Sequence, residues 1–303
     1  MKLRIQRSLL AVSVLCCLIS CMGVTACGAD PFTRQENVVY GEDFGIGLVM
    51  DIFTPTGEKN GLAIVDVVSG AWHSDRGKMR DHERAQMFSI FCSRGYTVFA
   101  VRPGSITKFS IPEMVKHIET GIVWVKKHAD EYGIDSSRFG MTGASAGGHL
   151  ASLVAVKNES SDAQPGNEKA TVKAVGVFFP PTDFTSFGGA AAGDSEAGIS
   201  PIAKRVLFSN GIVGDLTKEQ IHQRLIDISP ALLVTKNAPP FLLIHGDADT
   251  VVPLEQSTKL QSALKEHEVP VELIVKAGGG HPWLTMHEEI AVLADWFDTQ
   301  LKK

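Results

Sequence analysis

Along most of its length the chain repeats one exchange: an apolar run of strand length, then a segment with helical periodicity. The runs are LAIVDVV (Leu62 to Val68), YTVFAV (Tyr96 to Val101), VKAVGVFF (Val172 to Phe179), FLLIH (Phe241 to His245) and VELIV (Val271 to Val275), with a shorter strand ending near Thr142. A strand that is apolar almost throughout has both faces covered, because one with a face in water would alternate. Strands of this kind separated by helices predict an α/β fold with a mainly parallel central sheet and helices on both faces. Two earlier extended runs, ENVVYG and GLVMDIFTP, read as antiparallel edge strands.

From Ile111 to about Glu131, Ile111, Met114, Val115, Ile118, Ile122 and Val125 follow a period of about 3.6 residues, and Ser110 with Glu113 forms a capping box. Helices are also expected after Ser145 and Pro253, and an amphipathic helix carrying Ile290, Leu293, Ala294, Phe297 and Leu301 closes the chain. Between residues 181 and 237 the rhythm breaks, with FGGAAAGDSEAGISP and two short helical patterns. Too few apolar residues lie there for an independent core, so the segment reads as an insertion within a single domain spanning residues 34–303.

The first residues stand apart. Lys2, Arg4 and Arg7 precede SLLAVSVLCCLIS, which is too short to span a bilayer comfortably, and the pattern over residues 1–26 is that of an export signal. Its end reads in two ways. LISC and VTAC, ending at Cys21 and Cys27, both have the form of a lipobox, whereas Val24-Thr25-Ala26 suits ordinary signal peptidase. An exported protein is expected, periplasmic or extracellular, reaching the membrane only through an N-terminal lipid anchor if it has one. Cys16, Cys17, Cys21 and Cys27 belong to this region and leave Cys92 alone in the body, so no internal disulfide is expected. Removal of the leader takes three positive charges and moves the formal net charge from -5 to about -8, which argues against nucleic acid as a partner.

In an open parallel sheet the carboxyl ends of the strands converge on one edge, where sites form. Three ends carry chemistry. In TGASAGGHLAS, Gly143-Ala144-Ser145-Ala146-Gly147 matches G-x-S-x-G between a strand and a helix, a bend that exposes a serine hydroxyl to an incoming carbonyl. IHGDADTVVP offers two carboxylates, Asp247 and Asp249, and in KAGGGHPW His281 stands behind three glycines. A serine hydroxyl is a weak nucleophile near neutral pH, so it needs an imidazole to take its proton and a carboxylate to orient that imidazole. Ser, Asp, His is then the order along the chain. The competing readings are a packing serine for Ser145 and a loop histidine for His281. A tetrahedral intermediate also needs donors, and the N–H of Ala146, which opens a helix, is one. The remaining histidines, His149 and His287 among them, read as structural or solvated.

Other signals point to no metal and no cofactor. DHER (Asp81 to Arg84) and HEEIA (His287 to Ala291) lack the second histidine of a zinc-binding helix, no Lys-Ser/Thr follows Gly278 to Gly280, and no dinucleotide fingerprint opens the first strand.

Through YGIDSSRFGMTGASAGGHLA, APPFLLIHGDADTVVP and GGGHPW, the chain from about Phe44 onward resembles an α/β-hydrolase of the esterase/lipase superfamily, in the branch of feruloyl-esterase-like (BD-FAE) and acetyl-xylan-esterase-like proteins. Prolyl-oligopeptidase-type domains are more distant relatives. The resemblance implies the α/β-hydrolase fold with a small insertion over the site. In these relatives the acid follows H-G-x-x-D-x-x-V, which here falls on Asp249 and leaves Asp247 to the turn. Their second oxyanion donor comes from an H-G-G-G-W-like loop. Here VSGAW takes that place, with Val68 where the family has histidine and Ser69, Gly70 and Ala71 where it has glycines. The N–H of Ser69 or Gly70 is the expected donor, and Trp72 reads either as a packing residue or as a surface for substrate. The implied activity is that of an exported serine carboxylesterase on small acyl esters, including acetyl or feruloyl groups on polysaccharide. The alternatives are a serine exopeptidase or acylaminoacyl hydrolase, and a catalytically silent glycan-binding protein.

Overall fold

Eight strands form one sheet in the computed structural model, which describes residues 30–158, 170–187, 190–191, 206 and 216–302. The expected leader and part of the expected insertion lie outside the described residues. The strands are β1 (Phe32–Asp43), β2 (Ile46–Pro55), β3 (Ala63–Val67), β4 (Thr97–Arg102), β5 (Phe139–Ala144), β6 (Ala174–Phe178), β7 (Phe241–Gly246) and β8 (Val271–Lys276). Their order across the sheet is β1-β2-β4-β3-β5-β6-β7-β8. From β4 to β8 every pairing is parallel, whereas β2 runs antiparallel to β4 and β1 antiparallel to β2. The two early runs are therefore a single hairpin on one edge, turning at Phe44 and Gly45, both with positive φ.

The pleat of β3 shows how the core divides. Ala63, Val65 and Val67 join the cluster beneath α3 (Ile111–Lys127), α5 (Ala146–Asn158) and α7 (Glu255–Glu266). Ile64 points the other way, into the cluster with α1 (Arg76–Arg84), α2 (Met87–Ser93) and α8 (Met286–Leu301). The capping box forms, with the Glu113 carboxylate accepting from Ser110 N–H at 2.6 Å and from its hydroxyl at 2.7 Å. The helix it opens ends earlier than the sequence suggests. His128 leaves helical geometry with φ -104, and its Nδ1–H donates to the carbonyl of Trp124 at 2.8 Å, so a separate turn, α4 (Ala129–Tyr132), follows. Within the expected insertion, α6 (Lys218–Asp227) and a short turn at Pro230–Leu232 lie among the described residues.

One buried charge positions α1. Asp51 on β2 is fully buried and accepts from Arg34 and Arg76, each at 2.6 Å. Burial raises the cost of ionising this carboxyl, yet the hydrogen bonds from Asn37 N–H and the two guanidinium groups outweigh that cost and hold it below the usual carboxylate range. Arg76 is the first residue of α1, so the hairpin and this helix share one anchor.

Candidate active site

Ser145 stands between β5 and α5 with φ +53, a left-handed conformation unusual for a residue with a Cβ. Its neighbours keep it there: Ser145 N–H donates to Phe178 O at 2.9 Å, Gly147 N–H to Ser69 O at 3.0 Å, and His149 N–H to Ser145 O at 2.9 Å. The small residues around the hydroxyl have a physical reason. A Cβ on Gly147 would sit 2.2 Å from Val67 O, and one on Gly143 2.6 Å from the carbonyl carbon of Gly147. The bend folds backbone directly onto backbone, and only hydrogen fits in between.

His281 and Asp249 reach this hydroxyl from the loops after β8 and β7. Nε2 of His281 is 2.9 Å from Ser145 Oγ, and its Nδ1 is 2.7 Å from Asp249 Oδ2. With the carboxylate accepting from Nδ1–H, Nε2 keeps its lone pair for the serine proton. The other carboxylate oxygen accepts from the N–H groups of Val251 at 2.8 Å and Val252 at 2.9 Å, which fixes the rotamer. Burial opposes ionisation of Asp249, but the neighbouring His245 imidazole and the hydrogen bonds from His281 and Val252 N–H prevail and hold its carboxyl far below the usual range.

The two loops are stitched to each other. Asp247 Oδ1 accepts from Gly278 N–H at 2.7 Å, so this carboxylate braces the histidine loop instead of facing the imidazole. Ala248 N–H donates to Gly279 O at 2.9 Å, and a Cβ on Gly246 would meet that same oxygen at 2.1 Å. His245 is a participant that sequence reasoning missed. It is fully buried, donates from Nε2 to Val252 O at 2.8 Å, and keeps that nitrogen 3.5 Å from Asp249 Oδ2. The signal available was its place at the end of an apolar strand, four residues ahead of the carboxylate.

The expected donors for a developing oxyanion divide. Ser145 and Gly147 both spend their N–H groups, whereas the N–H of Ala146 between them has no partner among the described residues and opens α5. Gly70 corrects the expectation: its N–H donates to His73 O at 2.9 Å in a small bridge and is not available. The N–H groups of Ser69 and Ala71 on either side make no hydrogen bond among the described residues, and Ala71 is exposed toward the cavity. The reading of Trp72 as a substrate surface is also corrected. Trp72 is only 3% exposed, does not line the cavity, donates from its indole to His149 Nδ1 at 3.0 Å and packs on Phe184. His149 in turn donates from Nε2 to Ile228 O at 2.7 Å, and burial pushes its pKa down to about 4.

The cavity holds about 640 Å³ and is lined by Ser145, His281, Ala71, Phe179, Trp283 and Leu284, together with residues of α1. The Phe179 ring lies 4.4 Å from the His281 ring, centroid to centroid, and Trp283 is fixed by its indole bond to Glu289 at 2.7 Å. Among the described residues, no group of three His, Cys, Asp or Glu side chains could hold a metal ion. The arrangement can take a proton from a hydroxyl, hold the resulting imidazolium against a buried carboxylate, and offer N–H donors to an oxyanion.

The family model described as BD-FAE matches residues 50–264. Among curated proteins, "Probable carboxylic ester hydrolase LipM" of Mycobacterium tuberculosis is 28% identical over 240 residues, covering 78% of this chain and 52% of that protein. "Esterase LipC" of the same organism is 26% identical over 267 residues, covering 84% and 62%. The chain thus spans a little over half the length of these curated relatives. Among solved structures, a truncated form of a carbohydrate esterase from gut microbiota superposes with a TM-score of 0.73 at 25% identity, covering 91% of this chain and 99% of that one.

Proposed function

The chain belongs to the BD-FAE family, and from that premise we propose that it is an exported serine carboxylesterase that forms and hydrolyses an acyl-enzyme. The observation that carries the reading is the unbroken line of hydrogen bonds from Ser145 Oγ through His281 to Asp249. Ser145 Oγ bonds to the ester carbonyl carbon as its proton passes to His281 Nε2, and Asp249 balances the imidazolium. The carbonyl oxygen takes up the negative charge and is received by the N–H of Ala146, with Ala71 or Ser69 opposite. Each such donor is worth roughly 3 kcal/mol in the transition state. His281 then gives its proton to the departing alcohol as the carbon–oxygen bond breaks. Water repeats the path on the acyl-enzyme and releases the acid.

The substrates proposed are small acyl esters, including acetyl or feruloyl groups on polysaccharide. Support comes from the relatives named as carboxylic ester hydrolase and carbohydrate esterase. Export is supported by the basic, apolar and small-residue pattern of residues 1–26. The test gives purified protein short-chain nitrophenyl esters, acetylated xylan, methyl ferulate and aminoacyl nitroanilides, beside Ser145→Ala. Ester turnover abolished by that substitution is expected. Dominant anilide turnover would favour an exopeptidase, and glycan binding without any turnover a silent binding protein.

A further inference from the structure

Resting on the esterase reading, we infer that the cavity favours esters carrying a carboxylate close to the ester bond, and that Lys78, His82 and Arg84 of α1 form the wall that selects them. All three line the cavity that also holds Ser145 and His281. They come from the segment around DHER, whose histidine has no partner for a zinc site, so another use of these charges is open.

Lys78 lies against the loop after β3. A Cβ on Gly70 would be 2.6 Å from Lys78 Cδ and 3.3 Å from its Nζ, which places the ammonium beside the loop that offers Ala71 N–H. His82 is largely buried, and its Nδ1–H donates to Oδ2 of the fully buried Asp66 at 2.6 Å. Burial alone would lower the basicity of His82, but the Asp66 charge and hydrogen bond outweigh it and raise its pKa above the ordinary value. Its other ring nitrogen, Nε2, has no hydrogen-bond partner among the described residues. One carboxylate, Asp81, lines the cavity, and it is shared between Lys78 at 3.4 Å and Arg84 at 3.1 Å.

Outside the hydrogen-bonded Asp66–His82 pair, Lys78 and Arg84 share the single carboxylate of Asp81, so this wall carries one formal positive charge in excess, within a chain whose formal net charge is -5. The rest of the lining is largely apolar and includes Phe179, Trp283, Leu284 and Met286. Apart from His281 and the N–H donors beside Ser145, a substrate carboxylate in this space therefore finds its complement on α1. The helix is held in place for that role: Asp75 accepts from Gly77 N–H at 2.7 Å and Lys78 N–H at 3.1 Å, and Arg76 is tied to Asp51. Lys78 and Arg84 are partly in water, at 37% and 74% side-chain exposure, so the expected selectivity is about tenfold at low salt and shrinks as ionic strength passes about 0.1 M.

Two matched pairs of substrates locate the charge. 4-Nitrophenyl hemisuccinate against 4-nitrophenyl butyrate puts it on the acyl side, and 4-acetoxybenzoate against its methyl ester puts it on the alcohol. In at least one pair the anionic member is expected to have the higher kcat/KM, with the ratio falling to one or below in Lys78→Gln/Arg84→Gln. Neutral esters preferred in both pairs, or a ratio untouched by the double substitution, would overturn the inference while leaving the esterase reading intact. Absence of turnover by any ester would end that reading instead. Selectivity is then read without chemistry, from calorimetric binding of benzoate and benzamide to Ser145→Ala: tighter benzoate binding that the double substitution removes is expected, and equal binding of the two overturns the inference.

Discussion

The indole N–H of Trp72 donates to Nδ1 of His149 at 3.0 Å, joining the loop after β3 to the helix that begins beside Ser145. An indole can only donate, so His149 must accept, and a buried imidazole whose other nitrogen donates to Ile228 O is thereby fixed in one neutral tautomer. The bond spans a strained stretch: Ala71 and Trp72 have φ values of +48 and +60. It holds the backbone at Ala71, a residue that lines the cavity and whose N–H makes no hydrogen bond among the described residues.

Trp72→Phe removes the donor and leaves His149 Nδ1 buried and unpaired. The expected loss of stability is about 1–3 kcal/mol, read from denaturant unfolding. Alongside it kcat falls at least about tenfold with KM little changed, the mark of a defect in oxyanion stabilisation. Reduced stability with an unaltered kcat would show that Trp72 serves packing alone.

Asp249→Asn keeps the size of the side chain but removes the charge and favours the wrong imidazole tautomer, so kcat is expected to fall by roughly 10³ to 10⁴. Asp247→Asn touches only the Gly278 turn and is expected to cost less than about tenfold. Steady-state rates on a nitrophenyl ester measure both. A larger loss in Asp247→Asn would exchange the two roles.

Gly147→Ala puts a methyl group 2.2 Å from a backbone oxygen that cannot turn aside. A cost above about 3 kcal/mol is expected, with poor soluble yield. Gly45→Ala is the control: nothing lies within 4 Å of its Cβ position, and only the φ of +74 opposes it, at about 1–2 kcal/mol. Urea unfolding midpoints separate the two.

Two groups make stability depend on pH in opposite directions. His82 binds its proton more tightly when folded, so its contribution is complete below about pH 6.5 and is lost as pH rises through its folded value. The Tm difference between wild type and His82→Gln is therefore expected to be largest in mild acid and to shrink at alkaline pH. Asp249 holds its proton less tightly when folded, so its contribution is complete above about pH 4 and disappears as pH falls. The gap to Asp249→Asn is expected to close in strong acid. Calorimetry across pH checks both, and a His82 gap that widens with pH would contradict the Asp66 pairing.

The inner strands of the parallel sheet were legible because burial on both faces leaves them apolar almost throughout, as in Phe241–Gly246, whereas the edge strand Val271–Lys276 stays partly exposed. The first part of α3 was legible from its period and from Ser110 with Glu113, but its break at His128 depends on where that side chain's hydrogen bond goes. Ser145 and His281 stood out because chemistry gathers where strands end. The two aspartates after β7 could be told apart only by family pattern, since both occupy one turn and tertiary contact decides which meets the imidazole. Gly70 and Trp72 misled for the same reason. Whether Gly70 N–H is free depends on His73 folding back three residues later, and whether Trp72 faces substrate depends on a histidine far along the chain. His82 looked like a failed metal motif because its partner, Asp66, sits within an otherwise apolar strand.

Ser69 O holds Gly147 N–H and Phe178 O holds Ser145 N–H, so the bend at Ser145 is bolted to a neighbour on either side. Neither neighbour can shift without dragging Ser145 along. Retuning of substrate preference at preserved turnover is thereby channelled to α1 and to the mouth around the fully exposed Leu284, parts of the cavity that can vary while the machinery behind them stays still.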